Sequence, residues 1–177
     1  MILIFVLLPM GAILLSVVFW SLRNGISPMP TARKVKRTLL KVLPRDINGP
    51  IYELGSGWGT LLEPLYRLYP NQQIIGFETS PVPRWFSKLR LLYLRQDNVR
   101  VDKRDFFTQD LGGAGMVVCY LYPGAMARLR PKLAAELKEG TWVVSHTFAI
   151  PGWQAWQVYE VNDLYRTKIY AYRVSGA

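Results

Sequence analysis

The chain has 177 residues, of which 50% are hydrophobic and 19% are charged, and its formal net charge is +10. This length leaves room for one domain with a short appendage. A single cysteine, Cys119, excludes an intrachain disulfide and agrees with a reducing compartment. The mean hydropathy of +0.10 is high for a soluble domain, and the excess lies at the N-terminus.

The N-terminal residues 2–22 contain no charged side chain. An apolar stretch of about 20 residues is long enough to cross a bilayer, and membrane helices tolerate interruptions such as Pro9 and Gly11. A cleaved signal peptide is the alternative, but no basic segment precedes the run and no small-residue cleavage site follows Trp20. Residues 1–22 are therefore predicted to form a transmembrane anchor, with Trp20 at the membrane interface.

A basic segment follows the anchor and contains no acid before Asp46. Its cations are Arg23, Arg33, Lys34, Lys36, Arg37, Lys41 and Arg45. The positive-inside rule predicts a single-pass membrane protein with its domain on the cytoplasmic side, at the inner membrane if the protein is bacterial. The charge suits either anionic lipid headgroups or nucleic acid. Because residues 23–45 adjoin the anchor, we expect them to contact membrane lipids, and a nucleic-acid partner is not expected.

Within residues 23–46, a linker precedes an amphipathic helix. The linker is the proline-containing run Ser27–Pro30. Thr31 is predicted to cap a helix that Pro44 ends. Apolar side chains along one face of this helix indicate that it packs on the domain, with its basic side toward solvent or lipid. The domain itself is expected to occupy residues 47–177.

The central motif of the chain is a strand that leads into a glycine turn. The apolar run Ile51–Leu54 predicts a buried strand. The following turn contains Gly55, Gly57 and Gly59, which supply tight backbone without Cβ atoms. An amphipathic run directly after the turn predicts a helix, whose first N–H groups are available to a polar ligand. This context is typical of cofactor binding, and a glycine-rich turn without a ligand is the alternative.

The spacing of the motif differs from the pyrophosphate-binding form. It is G-x-G-x-G with an acid two residues before the first glycine, whereas dinucleotides are bound by G-x-G-x-x-G. A methionine-derived cofactor has no pyrophosphate, and its ammonium suits a nearby carboxylate. The pattern resembles motif I of the class I S-adenosylmethionine-dependent methyltransferases. That resemblance implies that Glu53, Gly55, Ser56, Gly57 and Gly59 bind S-adenosylmethionine.

Further polar residues follow the next two predicted strands. Glu78 ends the second strand, about 20 residues beyond the last glycine, where an acid accepts from both ribose hydroxyls. The third strand, Val99–Val101, leads to Asp105 and Phe106. In this fold the end of the third strand meets the adenine, so we expect Asp105 to accept from the amino group and Phe106 to pack on the ring. Thr31, beside the linker, is expected to lie over the cofactor.

Two conspicuous features are given structural roles. A helix is predicted over Arg84–Arg95, and its aromatic and aliphatic stripe is expected to face the core. The stripe consists of Trp85, Leu89, Leu92 and Tyr93. The only histidine, His146, falls inside the predicted strand Thr141–Phe148. It is interpreted as a hydrogen-bonded strand residue rather than as a catalytic base.

The remaining pattern completes an α/β sheet. Met116–Tyr120 and Thr141–Phe148 predict two apolar strands joined by a helix over Ala125–Lys138. Trp156–Val161 and Leu164–Val174 predict a hairpin. With the first three strands, these elements predict a Rossmann-like, seven-stranded class I methyltransferase sheet with helices on both faces, preceded by one transmembrane helix.

The chain also resembles a narrower family, the small membrane-anchored protein-lysine methyltransferases. Its mitochondrial members act on the adenine nucleotide translocase and on the c-subunit of ATP synthase. The resemblance covers most of the chain: the N-terminal apolar helix, Pro28–Val35, Glu53–Gly57, Gly76 with Glu78, Asp105, Tyr122–Pro123 with Met126, and Pro151 with Trp153. It implies methylation of a lysine on a membrane protein. Trp58 replaces an acid common in the family and Glu78–Pro81 replaces a Glu-Leu-Asn-Pro-like run, so the substrate's identity stays open.

The substrate slot is predicted from aromatic residues beyond the fourth and fifth strands. A lysine must reach the methyl group as a neutral amine, and an apolar slot favours that form by lowering the pKa of the amine. Aromatic faces also attract a methylated ammonium. Tyr120, Tyr122 and Trp153 are the predicted slot residues. No dedicated base is required if water accepts the proton, and no metal site is expected.

Three other functions remain open. The anchor serves a lipid or quinone methyltransferase equally well. The positive charge allows an RNA methyltransferase, although Tyr122-Pro123-Gly124 stands where many amino-directed nucleic-acid enzymes carry an Asn/Asp-Pro-Pro-aromatic motif. A non-catalytic membrane module is the third, and the intact Glu53, glycines and Glu78 argue against it.

Overall fold

The computed structural model describes residues 2–25, 29–93 and 97–175, with side chains from Phe5 onwards. Its helices are α1 Ile2–Asn24, α2 Arg33–Val42, α3 Leu62–Leu68, α4 Pro81–Leu92 and α5 Pro123–Glu136. Its strands are β1 Ile51–Leu54, β2 Ile74–Phe77, β3 Val99–Asp102, β4 Met116–Cys119, β5 Trp142–His146, β6 Gln157–Glu160 and β7 Lys168–Arg173. The predicted linker residues Ser27 and Pro28, and the predicted helix end at Arg95, lie outside the described residues.

The strands form one sheet in the order β3-β2-β1-β4-β5-β7-β6. Strands β1 to β5 are parallel, and β7 runs antiparallel to both β5 and β6. This confirms the predicted seven-stranded methyltransferase sheet. The chain moves outward from β1 in one direction through β2 and β3, and in the other through β4 and β5. A ligand crevice is therefore expected at the carboxyl ends of β1 and β4, where the strand order reverses.

The apolar strands are buried because helices cover both faces of the sheet. All four residues of β2 and of β4 are buried, as expected for parallel strands between helical layers. One core cluster includes Leu39 of α2 and Leu65 of α3, and the other includes Leu129 and Leu133 of α5. Helices thus enclose the strands that end at the crevice on both faces of the sheet.

The helix α1 is long and apolar enough to cross a membrane, judged by its length and composition. Its last turn is attached to the domain. The Asn24 side-chain amide donates to Ser80 Oγ at 3.1 Å and to Thr79 Oγ1 at 3.3 Å, and α1 also contacts α4. The end of the apolar helix is thereby fixed beside the start of α4.

The start of α2 differs from the prediction. The helix begins at Arg33, its N-cap residue is Ala32, and no side chain caps it. The predicted cap, Thr31, instead lies 3.2 Å through Oγ1 from Nε2 of His146. The N-cap prediction is therefore wrong, because the hydroxyl is used by a residue distant in sequence rather than by the helix's own N–H groups.

The helix α4 corrects two expectations. It begins at Pro81, because proline is tolerated in the first turn of a helix. Three of the four residues of the predicted core stripe point outward: Trp85 is 58% exposed, Leu92 69% and Tyr93 90%, while Leu89 is half-buried. The residues of α4 that are buried are Pro83 and Ser87. At the glycine turn the inner side of α4 is thus made of small residues, which allow a close approach, and Leu91 at the far end of the helix packs on the core.

Candidate cofactor and substrate site

A cavity of about 430 Å³ opens at the carboxyl ends of β1, β2 and β4. Its volume falls in the range of small-molecule sites, roughly 300–1,000 Å³. Most of the predicted cofactor residues line it: Thr31, Glu53, Gly55, Ser56, Gly57, Glu78, Asp105 and Phe106. The cavity lies at the point where the strand order reverses, so the fold and the motif agree on its position.

The glycine turn has two distinct tasks. Gly57 has φ +52°, and a Cβ there would meet no heavy atom within 4 Å, so the space beside it is open to a ligand. Gly59 has φ +66°, but a Cβ there would lie 2.8 Å from Ser87 Oγ of α4. Gly59 does not line the cavity and serves helix packing. Ser87 Oγ also donates to the Gly57 carbonyl at 2.7 Å, which fixes the turn.

The helix after the turn begins later than the motif predicts. The helix α3 begins at Leu62, with Leu61 as its N-cap residue and no side-chain cap. Turn residues therefore separate Gly59 from the helix. The expectation that a helix opens directly at the glycines is corrected: the turn itself, rather than the first helical turn, borders the cavity.

Glu78 joins the glycine turn to the start of α4. Its Oε2 accepts from the Gly57 N–H at 2.8 Å, and its Oε1 accepts from the Ser80 N–H at 2.7 Å. The side chain is buried at the end of β2 and lines the cavity. A carboxylate has about four acceptor sites, so each oxygen retains one toward the cavity. Two fixed acceptors side by side suit a pair of vicinal hydroxyls.

Glu53 is a buried carboxyl group in the cavity, and its surroundings disfavour the ionised form. It is buried, and within the described part of the chain its Oε2 has no hydrogen-bond partner. Burial raises the pKa of Glu53 well above its usual value, and the charge of Glu78 raises it further. Ser56 Oγ is likewise buried and unpartnered among these residues. Since an unpartnered buried polar group costs roughly 1–3 kcal/mol, both atoms fit a polar, cationic ligand group.

Another part of the cavity wall is aromatic and includes Phe106 and Phe107. Asp105 Oδ1 accepts from the Phe107 N–H at 2.9 Å and so caps the short turn Phe106–Thr108. The rings of Phe106 and Phe107 lie 4.5 Å apart, and the Arg128 guanidinium lies 3.8 Å from the Phe107 ring centroid. This wall offers aromatic side chains together with the Asp105 carboxylate, which suits adenine.

Two of the three predicted slot residues line the cavity, at the end of β4. Tyr120 stacks on His146 with ring centroids 4.2 Å apart. The Tyr122 ring lies against Gly25, where a Cβ would be 2.6 Å from Tyr122 Cζ. Trp153 does not line the cavity and packs edge-on against Tyr172 at 5.8 Å. The structure therefore brings the two tyrosines together and leaves Trp153 apart.

The wall above the glycine turn comes from the end of α1 and from the residues described after it. Arg23, Asn24, Met29 and Pro30 line the cavity in addition to Thr31. The sequence pattern does not predict that Arg23, Asn24, Met29 and Pro30 line the cavity. Asn24, for example, is held by contacts with residues 55 and 56 positions further along the chain. The apolar helix and the cavity are thus parts of one site.

His146 fixes this wall to the sheet. It is buried, its Nε2 lies 3.2 Å from Thr31 Oγ1, and its Nδ1 lies 3.1 Å from Thr147 Oγ1. This confirms the interpretation of His146 as a hydrogen-bonded strand residue. Burial lowers the pKa of His146 to about 4, so the ring is neutral near pH 7.

Lowering the pH is expected to destabilise the fold through His146. An unfolded histidine has a pKa of about 6.5, so between pH 6.5 and about 4 only the unfolded chain binds the proton. Unfolding should become easier by about 2 kcal/mol between pH 7 and pH 5. Thermal unfolding across this range measures the loss. His146→Gln, which removes the only histidine, serves as the control, because all other groups still titrate. Parallel pH curves for the two proteins would contradict the assignment.

Comparisons with known proteins agree with this geometry. The family profile described as the ANTKMT methyltransferase domain matches residues 53–157. A protein-lysine N-methyltransferase of Saccharolobus islandicus is 30% identical over 141 residues, which is 76% of this chain and 84% of that protein. The adenine nucleotide translocase lysine N-methyltransferase of Mus musculus is 30% identical over 152 residues, 83% of this chain and 62% of its own length. The mouse ATP synthase C-subunit lysine N-methyltransferase is 25% identical over 126 residues, 71% of this chain and 50% of its own length.

Solved structures give the same fold. An RNA methyltransferase from Salinibacter ruber, in complex with S-adenosyl-L-homocysteine, superposes with a TM-score of 0.75 and 27% identity over 84% of this chain and 95% of that chain. A precorrin-6y C5,15-methyltransferase from Geobacter metallireducens superposes with a TM-score of 0.67 over 83% of this chain and 90% of that chain. Its 16% identity makes it a likeness of fold alone.

Proposed function

This chain belongs to the ANTKMT-type methyltransferase family, and we propose that, as an S-adenosylmethionine-dependent methyltransferase of that family, it methylates a lysine side chain of a membrane protein. Three relatives of known activity are protein-lysine N-methyltransferases. The observation that carries the membrane part of the proposal is that Arg23 and Asn24, at the end of the apolar helix α1, line the cavity. A substrate lysine would then reach the cavity close to the membrane surface.

The residues of the cavity fit the cofactor. We assign Glu53 to its ammonium, because the unpartnered buried oxygen needs a donor. Glu78 is assigned to the ribose hydroxyls, and Asp105 with Phe106 to the adenine. Gly57 leaves the space in which the cofactor lies. When bound, S-adenosylmethionine supplies an electrophilic methyl group on a sulfonium.

Tyr120 and Tyr122 are assigned to the substrate slot. Their rings line the cavity at the end of β4 and would exclude water from an incoming amine, which favours its neutral, nucleophilic form. They also offer faces to the methylated ammonium that results, with an attraction of roughly 0.5–2 kcal/mol. His146 stands behind Tyr120, and its pKa of about 4 makes it a weak acceptor for the proton that the methylated amine releases. The released proton therefore passes to water.

The membrane arrangement is part of the proposal. Residues 1–22 would form a single-pass anchor and residues 23–46 a basic linker with the helix α2, while residues 47–177 would form the methyltransferase domain. The cations of residues 23–45 support a position of that domain on the cytoplasmic side, against anionic lipid. A lysine of a membrane protein at headgroup level would lie close to the anchor and could enter the cavity.

A labelling experiment tests the proposal. The purified full chain and radiolabelled S-adenosylmethionine are incubated with membranes from cells that lack the gene, and protein, lipid and RNA are then separated. Label in a protease-sensitive band is the expected result, and mass spectrometry then locates the lysine. Label confined to the solvent extract would replace lysine with a lipid or quinone as the acceptor.

RNA is the second candidate acceptor, and one observation favours it. The structural relative from Salinibacter ruber with a TM-score of 0.75 is described as an RNA methyltransferase, and this chain carries a net charge of +10. Label in nuclease-sensitive material in the same experiment would support RNA. An equal amount of deproteinised RNA from the same cells, offered alone, separates a true acceptor from contaminating protein.

Cofactor affinity is expected to fall as the pH is lowered, because of Glu53. Its carboxyl has a raised pKa in the free protein, and only the ionised form attracts an ammonium. The dissociation constant of S-adenosylhomocysteine, which carries the same ammonium, should increase as the pH falls from 7 to 5. Calorimetric titration measures it, and Glu53→Gln should bind more weakly with a flatter pH curve. Equal pH curves for the two proteins would remove the ammonium assignment.

A further inference from the structure

The outward face of α4 carries an apolar stripe that does not line the cavity, although the Phe86 ring lies 5.3 Å from the ring of the cavity residue Trp58. The stripe consists of Trp85, Phe86, Leu92 and Tyr93, all of which are exposed. At about 100° per residue along an α-helix, these four positions fall within about 120° of its circumference. An exposed apolar surface of this kind on a helix otherwise packed on a domain marks a contact with something apolar.

Cations border the stripe on both sides. In the same projection of about 100° per residue, Lys88 lies beside one edge of the stripe and Arg90 beside the other, whereas the Arg84 guanidinium donates to the Thr79 carbonyl at 3.1 Å. No acidic residue occurs between Thr79 and Tyr93, so no charge on the helix itself opposes these cations. Apolar residues with aromatic rings, flanked by basic side chains, are typical of helices that lie in the interface of an anionic bilayer.

The position of the stripe beside α1 identifies the apolar partner. The Asn24 amide at the end of α1 bonds to Thr79 and Ser80, which directly precede α4, and the two helices are in contact. From Phe5 to Leu22, the large exposed side chains of α1 are apolar. The stripe therefore continues from the place where the apolar helix meets the domain, and the cations of α4 match the acidic headgroups found at that level.

We propose that α4 is a second membrane contact, with the stripe in the interfacial layer of the bilayer and the exposed Lys88 and Arg90 on anionic lipid headgroups. The proposal rests on the proposed function in one respect, namely that α1 is a membrane anchor. With α1 as the only attachment, the domain could turn about the axis of that helix at the membrane surface. A second attachment through α4 prevents this rotation. The mouth of the cavity then keeps a fixed height above the membrane, which selects lysines at that height.

Spin labels on the full chain test this contact. The only native cysteine, Cys119, is buried, so a nitroxide attaches to an introduced cysteine alone. Leu92→Cys reports on the stripe and Leu15→Cys on α1. Glu139→Cys is the control, because Glu139 is exposed and precedes β5, at the sheet edge opposite the cavity. Each protein is placed in nanodiscs of phosphatidylcholine with phosphatidylglycerol. The collision rate of the nitroxide with oxygen is then compared with its collision rate with a water-soluble nickel chelate.

At Leu92 we expect roughly tenfold less nickel access, relative to oxygen, than at Glu139, as for a side chain below the headgroups. Nanodiscs without phosphatidylglycerol should reduce this protection. Nickel access at Leu92 equal to that at Glu139 overturns the inference, whatever Leu15 reports. Protection at Leu92 that appears only when a membrane protein is added also overturns it, because the stripe would then bind protein. Nickel access at Leu15 instead refutes the anchor, and methyl transfer by the same samples tests catalysis separately.

Discussion

Replacing Gly57 with alanine is expected to weaken binding of S-adenosylhomocysteine by about 100-fold, which corresponds to roughly 2.7 kcal/mol. The new methyl group would project into the open space beside the turn, where no protein atom lies within 4 Å. That space belongs to the cavity, so the methyl group and the cofactor compete for it. Calorimetric titration of the purified variant measures the loss.

A matched glycine separates this steric effect from backbone strain. Gly57 has φ +52° and Gly140 has φ +83°, and a Cβ at either position would meet no protein atom within 4 Å. Alanine at each should therefore cost a similar 1–2 kcal/mol in stability, approximately, from the left-handed backbone. Gly140 lies between α5 and β5, far along the chain from the glycine turn. Gly140→Ala should lower the melting temperature and leave affinity unchanged, and equal affinity losses in both variants would contradict the steric account.

The parts of the site that lie at strand ends could be predicted from sequence. Glu53, Glu78 and Asp105 each follow from a local pattern, since a short apolar run predicts a parallel strand and such strands bring their carboxyl ends to one edge. All three line the same cavity. No long-range contact had to be known, because the topology of the sheet supplies it.

The parts that depend on distant contacts could not be predicted. The local pattern predicts Thr31 as a helix cap, but its hydroxyl lies beside His146, 115 residues away. Asn24 joins the cavity through Thr79 and Ser80, and no periodicity links such positions. Trp153 follows a strand at the edge of the site but packs on Tyr172, because its indole finds an apolar neighbour below the cavity.

The helix α4 shows a limit of periodicity itself. A stripe at helical spacing shows that one face of a helix is apolar. It does not show whether that face packs on the core of the domain or is exposed to lipid or water. The small residues Pro83 and Ser87 decide the orientation, since they form the buried side. A glycine turn that must be approached closely favours small residues opposite it. That requirement becomes visible only when Gly59 and Ser87 are seen in contact.

Removing the Glu78 carboxylate is expected to have the largest effect of any single change in the cavity. Glu78→Ala should weaken S-adenosylhomocysteine binding on the order of 10³-fold, since two hydrogen bonds to a charged acceptor contribute roughly 1.5–3 kcal/mol each. Methyl transfer should fall below detection at ordinary cofactor concentrations. The variant should also melt at a lower temperature, because the N–H groups of Gly57 and Ser80 lose their acceptors.

Ser87→Ala distinguishes direct binding by Glu78 from support of the turn. It removes another side-chain hydrogen bond to the same turn, from Ser87 Oγ to the Gly57 carbonyl at 2.7 Å, and Ser87 does not line the cavity. If Glu78 binds the ribose itself, Ser87→Ala should weaken binding only a few-fold, the effect of one neutral hydrogen bond of about 1 kcal/mol. Losses of similar size in the two variants would mean that Glu78 acts through the turn alone. A large loss confined to Glu78→Ala, with Glu78→Gln between the two, would make the carboxylate the acceptor of the ribose hydroxyls.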